Sequence, residues 1–166
     1  MTMLERIFNS VEYRWRVQQA KSYGVFWILV TVVIMIFMVG RGAGDNMTAA
    51  LVAGGILSLI FGVVFLIMAL KSLGQNKKLV NQYNRFDTYS VEFDTPVASK
   101  SQRRFAYFVL RFTDKNGSQV ICQTNPAFSI AEAGLFPMQE YRDQLVDVLY
   151  DAKHNKVYVI GLTEEE

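Results

Sequence analysis

The sequence predicts a membrane α-helical hairpin followed by a small all-β soluble domain. Residues 22–40 and residues 46–70 contain no charged side chain, over 19 and 25 consecutive positions. The hydrocarbon core of a bilayer is about 30 Å thick, and roughly 20 apolar residues of α-helix cross it. Each stretch is therefore long enough to span a membrane. From residue 88 onward, apolar and polar residues alternate in short runs, which is typical of half-buried β-strands.

Residues 1–21 predict one amphipathic N-terminal helix. Apolar side chains recur at helical spacing and arginines are interleaved with them. We expect the apolar side to lie in the headgroup region of the bilayer, with Trp15, Arg14, Arg16 and Lys21 at the membrane interface. The alternatives are that this segment packs on the C-terminal domain or that it simply extends the first span.

The second apolar stretch carries a stripe of small residues. They recur every fourth position, at Ala50, Gly54, Ser58 and Gly62, and therefore lie on one helix face. Small residues let two helix backbones approach closely within a membrane. The short connection at residues 41–45 makes the two stretches antiparallel neighbours, so the stripe predicts a packing face for the first stretch. A second copy of the chain or another protein is the alternative occupant.

Basic residues flank the hairpin on its two open ends. Four Lys or Arg side chains precede the first stretch, four follow the second stretch, and the connection holds only Arg41. Basic residues are retained on the cytoplasmic side, so this asymmetry predicts a multi-pass inner-membrane protein with both termini in the cytoplasm. The basic connector at residues 71–87 adds Lys71, Lys77 and Lys78 to the residues that we expect at the membrane interface.

Residues 88–166 predict a cytosolic domain built as a five-stranded antiparallel sheet or a barrel of SH3-like or OB-like kind. An aromatic-rich strand at residues 104–113 ends in turn chemistry at Asn116-Gly117, and its hairpin partner follows. One short helix is expected between Ser129 and Gly134. In this pattern Asp147 lies on the solvent face of a strand.

The last two predicted strands resemble a known family. The stretches at residues 145–151 (LVDVLYD) and residues 155–159 (NKVYV) are similar to the closing motif of the bacterial domain-of-unknown-function 3592 family, and the resemblance covers about residues 88–162. It implies a small β domain beside a membrane and implies no catalytic residues. That family usually has Gly near the position of Asp143, and its membrane spans often flank the domain, whereas both predicted spans precede it here.

Few side chains suggest catalysis or metal binding. His154 is the only histidine and Cys122 the only cysteine, so neither has a second ligand of its own kind for a zinc site. We expect His154 to be a solvated turn residue and Cys122 a buried, inert thiol. The sequence therefore predicts no catalytic residue, no cofactor and no metal.

The predicted function is that of a non-catalytic accessory, regulatory or scaffolding subunit that acts by protein–protein interaction. The expected partners are the lipid bilayer and either a protein partner or a further copy of the chain. Residues 79–166 have nine basic and twelve acidic side chains, which argues against nucleic-acid binding. Two alternatives remain: a membrane-tethered sensor that binds a small ligand or lipid headgroup, and an oligomeric pore-forming subunit.

Overall fold

The computed structural model describes residues 2–41 and 46–163, with only the backbone of Arg41. Apart from the Arg41 backbone, the predicted connection at residues 41–45 lies outside the described residues, as does the tail at residues 164–166. Four α-helices are described, with a short 3-10 turn at Tyr83–Arg85 after the third: α1 (Met3–Asn9), α2 (Val11–Arg41), α3 (Met47–Gln82) and α4 (Met138–Tyr141). The strands are β1 (Asp87–Phe93), β2 (Pro96–Ala98), β3 (Phe105–Thr113), β4 (Gln119–Gln123), β5 (Phe128–Ser129), β6 (Gln144–Asp151) and β7 (Lys156–Leu162).

The chain divides into two compact units. The helical unit is residues 16–75 and holds most of α2 and α3. The β-rich unit combines residues 1–15 with residues 76–166, so it is built from both ends of the chain. The sequence, by contrast, predicts a β domain that begins at residue 88.

Both long helices of the helical unit are long and apolar enough to span a membrane. Their spans have mean hydropathies of 2.4 and 2.7, and only 0% and 11% of their most apolar segments are buried. Large apolar side chains such as Ile36 and Leu59 remain exposed along them. Water-soluble proteins rarely expose contiguous apolar surface of this extent. Two long apolar helices followed by a small antiparallel β domain are thus confirmed.

The N-terminal segment is two helices rather than the single helix predicted for residues 1–21. Ser10 separates them with an extended backbone (φ −65°, ψ 154°). Its N–H donates to the Ile7 carbonyl at 3.1 Å, and its Oγ accepts from the Tyr13 N–H at 3.2 Å. Ser10 thus ends α1 and caps the start of α2, as serine favours at helix N-termini. The sequence shows no sign of this break, because the apolar pattern continues across it.

The β-rich unit contains two antiparallel sheets. One has the strand order β1-β6-β7, and the other has the order β2-β3-β4 with β5 also paired to β3. Seven strands are thus described where five were predicted. The two additional strands, β2 and β5, have only three and two residues and are too short to show a periodicity.

One hydrophobic core joins the inner faces of the two sheets. Its centre is an aromatic cluster in which the Phe93, Phe108 and Phe128 rings meet at centroid distances of 4.7–5.9 Å. The short helix expected at Ser129–Gly134 is absent from this described segment. Ser129 pairs instead with β3 and donates its N–H to the Phe136 carbonyl at 2.7 Å. That strand pairing replaces the helix cap predicted for Ser129.

A second, smaller cluster lies on the opposite face of β6. It is formed by Ile7 from α1, Leu79 from α3, Leu149 from β6 and Ile160 from β7, all of them buried. Strand β6 is consequently covered on both faces, and its last six residues are all buried. The first helix and the end of the third thus complete the β-rich unit.

Candidate functional site

A buried carboxylate lies where α1 covers the outer face of β6. Asp147 is 6% exposed, although its alternating strand pattern predicted a solvent-facing side chain. Its Oδ1 accepts hydrogen bonds from Ser90 Oγ at 2.6 Å and Thr163 Oγ1 at 2.8 Å. Its Oδ2 accepts from the Arg6 guanidinium, which also forms an ion pair with it. The prediction was wrong because α1 covers this face.

The surroundings of Asp147 favour its charged form. Burial alone raises the pKa of a carboxyl group. The hydrogen bonds from Ser90, Arg6 and Thr163, together with the Arg6 charge, outweigh burial and hold the pKa of Asp147 below its usual value. The four residues come from α1, β1, β6 and the segment after β7, so one carboxylate ties together four parts of the β-rich unit. We call this arrangement the Asp147 clasp.

The lone cysteine and the lone histidine lie in different settings. Cys122 is buried in β4, and burial raises the pKa of its thiol to about 11. A thiol with so high a pKa is protonated at neutral pH and is a poor nucleophile. His154 is an exposed turn residue whose Nδ1 lies 2.7 Å from Asp151 Oδ2. Among the residues that the structure describes, no group of three or more His, Cys, Asp or Glu side chains is arranged to hold a metal ion.

Within the helical unit, the small-residue stripe lies against α2. Ser58 Oγ is 2.7 Å from Thr31 Oγ1, and its carbonyl accepts a hydrogen bond from Trp27 Nε1 at 3.2 Å. A Cβ atom at Gly62 would lie 2.8 Å from Trp27 Nε1, and one at Gly54 would lie 3.1 Å from a Met38 side-chain atom. Ala50 is half-buried on the same helix. The first apolar helix therefore occupies this face.

The sequence-predicted interface residues differ in exposure. Trp15 is half-buried and packs against the core of the β-rich unit. The Arg14 guanidinium carbon lies 5.7 Å from the centroid of the Phe136 ring, and Arg16 is only 3% exposed. The exposed cations of the set are Arg14, Lys21, Lys71, Lys77 and Lys78. Contact of any of these residues with lipid headgroups stays a prediction.

An open groove lies on the surface of the β-rich unit, between the end of β1 and one edge of β3. It has a volume of about 440 Å³ and is lined by Glu92, Asp94, Thr95, Val97, Val109 and Arg111. We call it the β1–β3 groove. Two carboxylates and one guanidinium line it beside two valines, so the groove presents charges of both signs next to apolar side chains. No sequence pattern indicated this groove. Its walls belong to separate strands, and the space between them depends on the short length of β2.

Comparison with protein-family models, with curated proteins and with solved structures found no match. The resemblance of residues 88–162 to the domain-of-unknown-function 3592 family consequently stays a prediction.

Proposed function

We propose that the chain is a bacterial inner-membrane subunit whose β-rich unit acts by binding another protein, without catalysis. The observation that carries the proposal is the β1–β3 groove. It is an exposed, mixed-charge groove beside a strand edge, whereas the buried Asp147 clasp is saturated with partners from its own chain.

The β-rich unit is built from both ends of the chain, which supports a hairpin with both termini on one side of the membrane. Residues 1–15 precede the first apolar helix and residues 76–163 follow most of the second, yet they form one compact unit. A pair such as Ile7 and Leu149 can share a cluster only if both segments lie on the same side. The excess of flanking Lys and Arg favours the cytoplasmic side.

Purification of the tagged full chain from native membranes in mild detergent tests the proposal. We expect a stoichiometric protein partner, and we expect the double variant Glu92→Lys, Arg111→Glu to lose it. Lys153→Glu, a charge change at an exposed position in the β6–β7 turn, is the matched control and should retain the partner. Absence of a stoichiometric partner, or retention of it by the double variant, would contradict the proposal.

A membrane-tethered sensor is the second candidate, because a groove of this volume also suits a small ligand. A bound small molecule stabilises the folded state by mass action. Thermal unfolding of the purified full chain against a panel of small anions, cations and lipid headgroups distinguishes the two functions. A ligand-dependent rise in Tm that Arg111→Gln abolishes would favour the sensor.

A further inference from the structure

We propose that the β-rich unit docks on the anionic surface of the bilayer in which the apolar helices insert. The docking surface combines exposed cations of the β2–β3 loop with exposed apolar side chains of the segment between β5 and α4, beside the start of α2. We call it the basic patch, and its members are Arg14, Lys100, Arg103, Arg104, Ile130 and Leu135. The inference goes beyond the proposed function, and it rests only on the part of that proposal that inserts the hairpin in a membrane.

Positive charge is concentrated in the segment that contains the β2–β3 loop. Residues 95–113 hold four basic side chains and no acidic one, whereas the rest of residues 79–166 holds five basic and twelve acidic side chains. Lys100, Arg103 and Arg104 lie in the loop itself, and all three are exposed. None of them forms an ion pair with a residue that the structure describes. A cluster of exposed, unpaired cations attracts an anionic partner.

Hydrogen bonds hold the β2–β3 loop in one shape. The Phe105 N–H donates to the Gln102 carbonyl at 2.8 Å, and the Ser99 N–H donates to the Phe105 carbonyl at 2.8 Å. The Ser99 hydroxyl oxygen accepts from the Gln102 N–H at 3.2 Å. The backbone that carries the three cations is therefore ordered before it meets a partner, so docking loses little backbone entropy.

Two exposed apolar side chains lie beside these cations. The Ile130 N–H donates to the Arg104 carbonyl at 3.1 Å, and the Ser129 N–H donates to the Phe136 carbonyl at 2.7 Å. These contacts fold the segment after β5 onto the start of β3. They bring Ile130 and Leu135, which are 37% and 39% exposed, close to the β2–β3 loop. Cations together with exposed large apolar side chains are the combination that binds the headgroup region of a bilayer.

The net charge of the patch favours an anionic partner. Glu132 is the only acidic residue between residues 124 and 137, and four cations against this one carboxylate leave a net charge of +3. The β1–β3 groove, by contrast, is lined by two carboxylates and one guanidinium. Charge complementarity selects partners at a surface, so the patch and the groove suit different partners.

The patch lies at the end of the β-rich unit where α2 begins. The Arg14 guanidinium carbon lies 5.7 Å from the centroid of the Phe136 ring, so α2 contacts the segment that carries Leu135. Asn76 Nδ2 donates to the Tyr13 carbonyl at 3.0 Å, so the part of α3 that belongs to this unit begins at the same place. Arg14 lies eight positions before residue 22, where the first apolar stretch begins, and eight residues of helix are about 12 Å long. A bilayer surface is therefore the partner that chain connectivity brings within reach of the patch.

A fluorescent label in the patch tests docking of the full chain. Ala133→Cys in a Cys122→Ala background places an exposed thiol for an NBD label between Ile130 and Leu135. The chain is reconstituted in phosphatidylcholine nanodiscs with or without phosphatidylglycerol, and a lipid with a spin-labelled headgroup in both discs quenches a label at the surface. We expect strong quenching in the anionic discs and weaker quenching in the others. High salt should remove the difference, since it screens exposed charges.

Ser118→Cys in the same background provides the matched control label. Ser118 is exposed in the β3–β4 turn, at the other end of β3, whose nine residues are about 30 Å long. Quenching of this label should be low and should not depend on phosphatidylglycerol. Docking through the patch is contradicted if the two labels are quenched equally, or if quenching at residue 133 is the same in both discs.

Two matched pairs of substitutions assign docking to the cations of the patch. Each Lys or Arg near an anionic surface favours the docked state about fivefold. Arg103→Gln, Arg104→Gln should therefore lower the ratio of docked to undocked chain about 25-fold in the anionic discs. Lys153→Gln, Lys156→Gln removes the same number of exposed cations beside the β6–β7 turn and should leave the ratio unchanged. Equal effects of the two pairs would show that net charge, and not the patch, controls the unit.

Co-purification from native membranes separates this inference from the proposed function. A stoichiometric partner that is lost in Arg103→Gln, Arg104→Gln but retained in Glu92→Lys, Arg111→Glu would assign the patch to a protein and overturn the inference. Quenching that is independent of lipid charge, with the partner still bound, would refute docking alone. Lipid-dependent quenching at residue 133 without any stoichiometric partner would support docking and refute the protein-binding function alone.

Discussion

Arg6 and Asp147 are 141 positions apart in the chain, and the guanidinium of Arg6 donates a hydrogen bond to Asp147 Oδ2. The contact joins α1, the first helix, to β6, a central strand of its sheet. It is the polar part of an interface whose apolar part is Ile7 packed among Leu79, Leu149 and Ile160.

Arg6→Met should destabilise the β-rich unit by about 2 kcal/mol, because it removes a charge-assisted hydrogen bond from a buried carboxylate. Trp15 packs on the core of this unit, so its fluorescence in a Trp27→Phe background reports the unfolding. Chemical unfolding of the full chain in detergent gives the free energy. Lys153→Met, at an exposed turn position, is the control and should change stability by less than about 0.5 kcal/mol. Equal effects of the two substitutions would contradict a stabilising clasp.

Acid should weaken the β-rich unit through Asp147. The pKa of this carboxyl is lower in the folded state than the unfolded value of about 3.9. Its charged form therefore stabilises the fold above that unfolded pKa, and this contribution is lost as the pH falls through the lower, folded value. The difference in unfolding free energy between the natural chain and Asp147→Asn, measured from neutral to strongly acidic pH, should shrink in that acidic range. A difference that stays constant with pH would contradict the assignment.

Gly62→Ala should loosen the helical unit, because the new Cβ would lie 2.8 Å from Trp27 Nε1. Overpacking of this kind costs about 1–3 kcal/mol. Gly55→Ala is the matched control, since its Cβ would meet nothing within 4 Å and alanine favours helix by a similar amount at both sites. Trp27 fluorescence in a Trp15→Phe background, followed through thermal unfolding in detergent, compares the two variants. Equal Tm values would show that Trp27 moves aside without cost.

Cys122 should resist thiol reagents in the folded chain, because it is buried and its pKa is about 11. It is consequently a poor reporter of membrane sidedness. Ser118→Cys in a Cys122→Ala background places an exposed thiol in the β3–β4 turn instead. A membrane-impermeant maleimide should not label this thiol in intact cells, but it should label the thiol after permeabilisation. Labelling in intact cells would contradict the cytoplasmic orientation of the β-rich unit.

Hydropathy and alternation predicted the two apolar helices and the longer strands, because each of these elements carries its own periodic signal. The misassigned residues depend on contacts distant in sequence. Asp147 alternates as an exposed strand residue, and only α1, far earlier in the chain, covers it. Ser129 resembles a helix cap locally, yet it pairs with Phe105 of β3. The β1–β3 groove has no local signal either, since it arises from the shortness of β2 against β3.

The β-rich unit is built from residues 1–15 and 76–163, so its two parts are synthesised at different times. The first helix is synthesised well before Leu149 and Ile160, which pack against Ile7. Between these moments the two apolar helices are made. Ile7 and Arg6 therefore lack these contacts until β6 and β7 have been synthesised. Membrane insertion of the hairpin would precede closure of the unit, so a nascent chain stalled before β6 should keep α1 sensitive to protease.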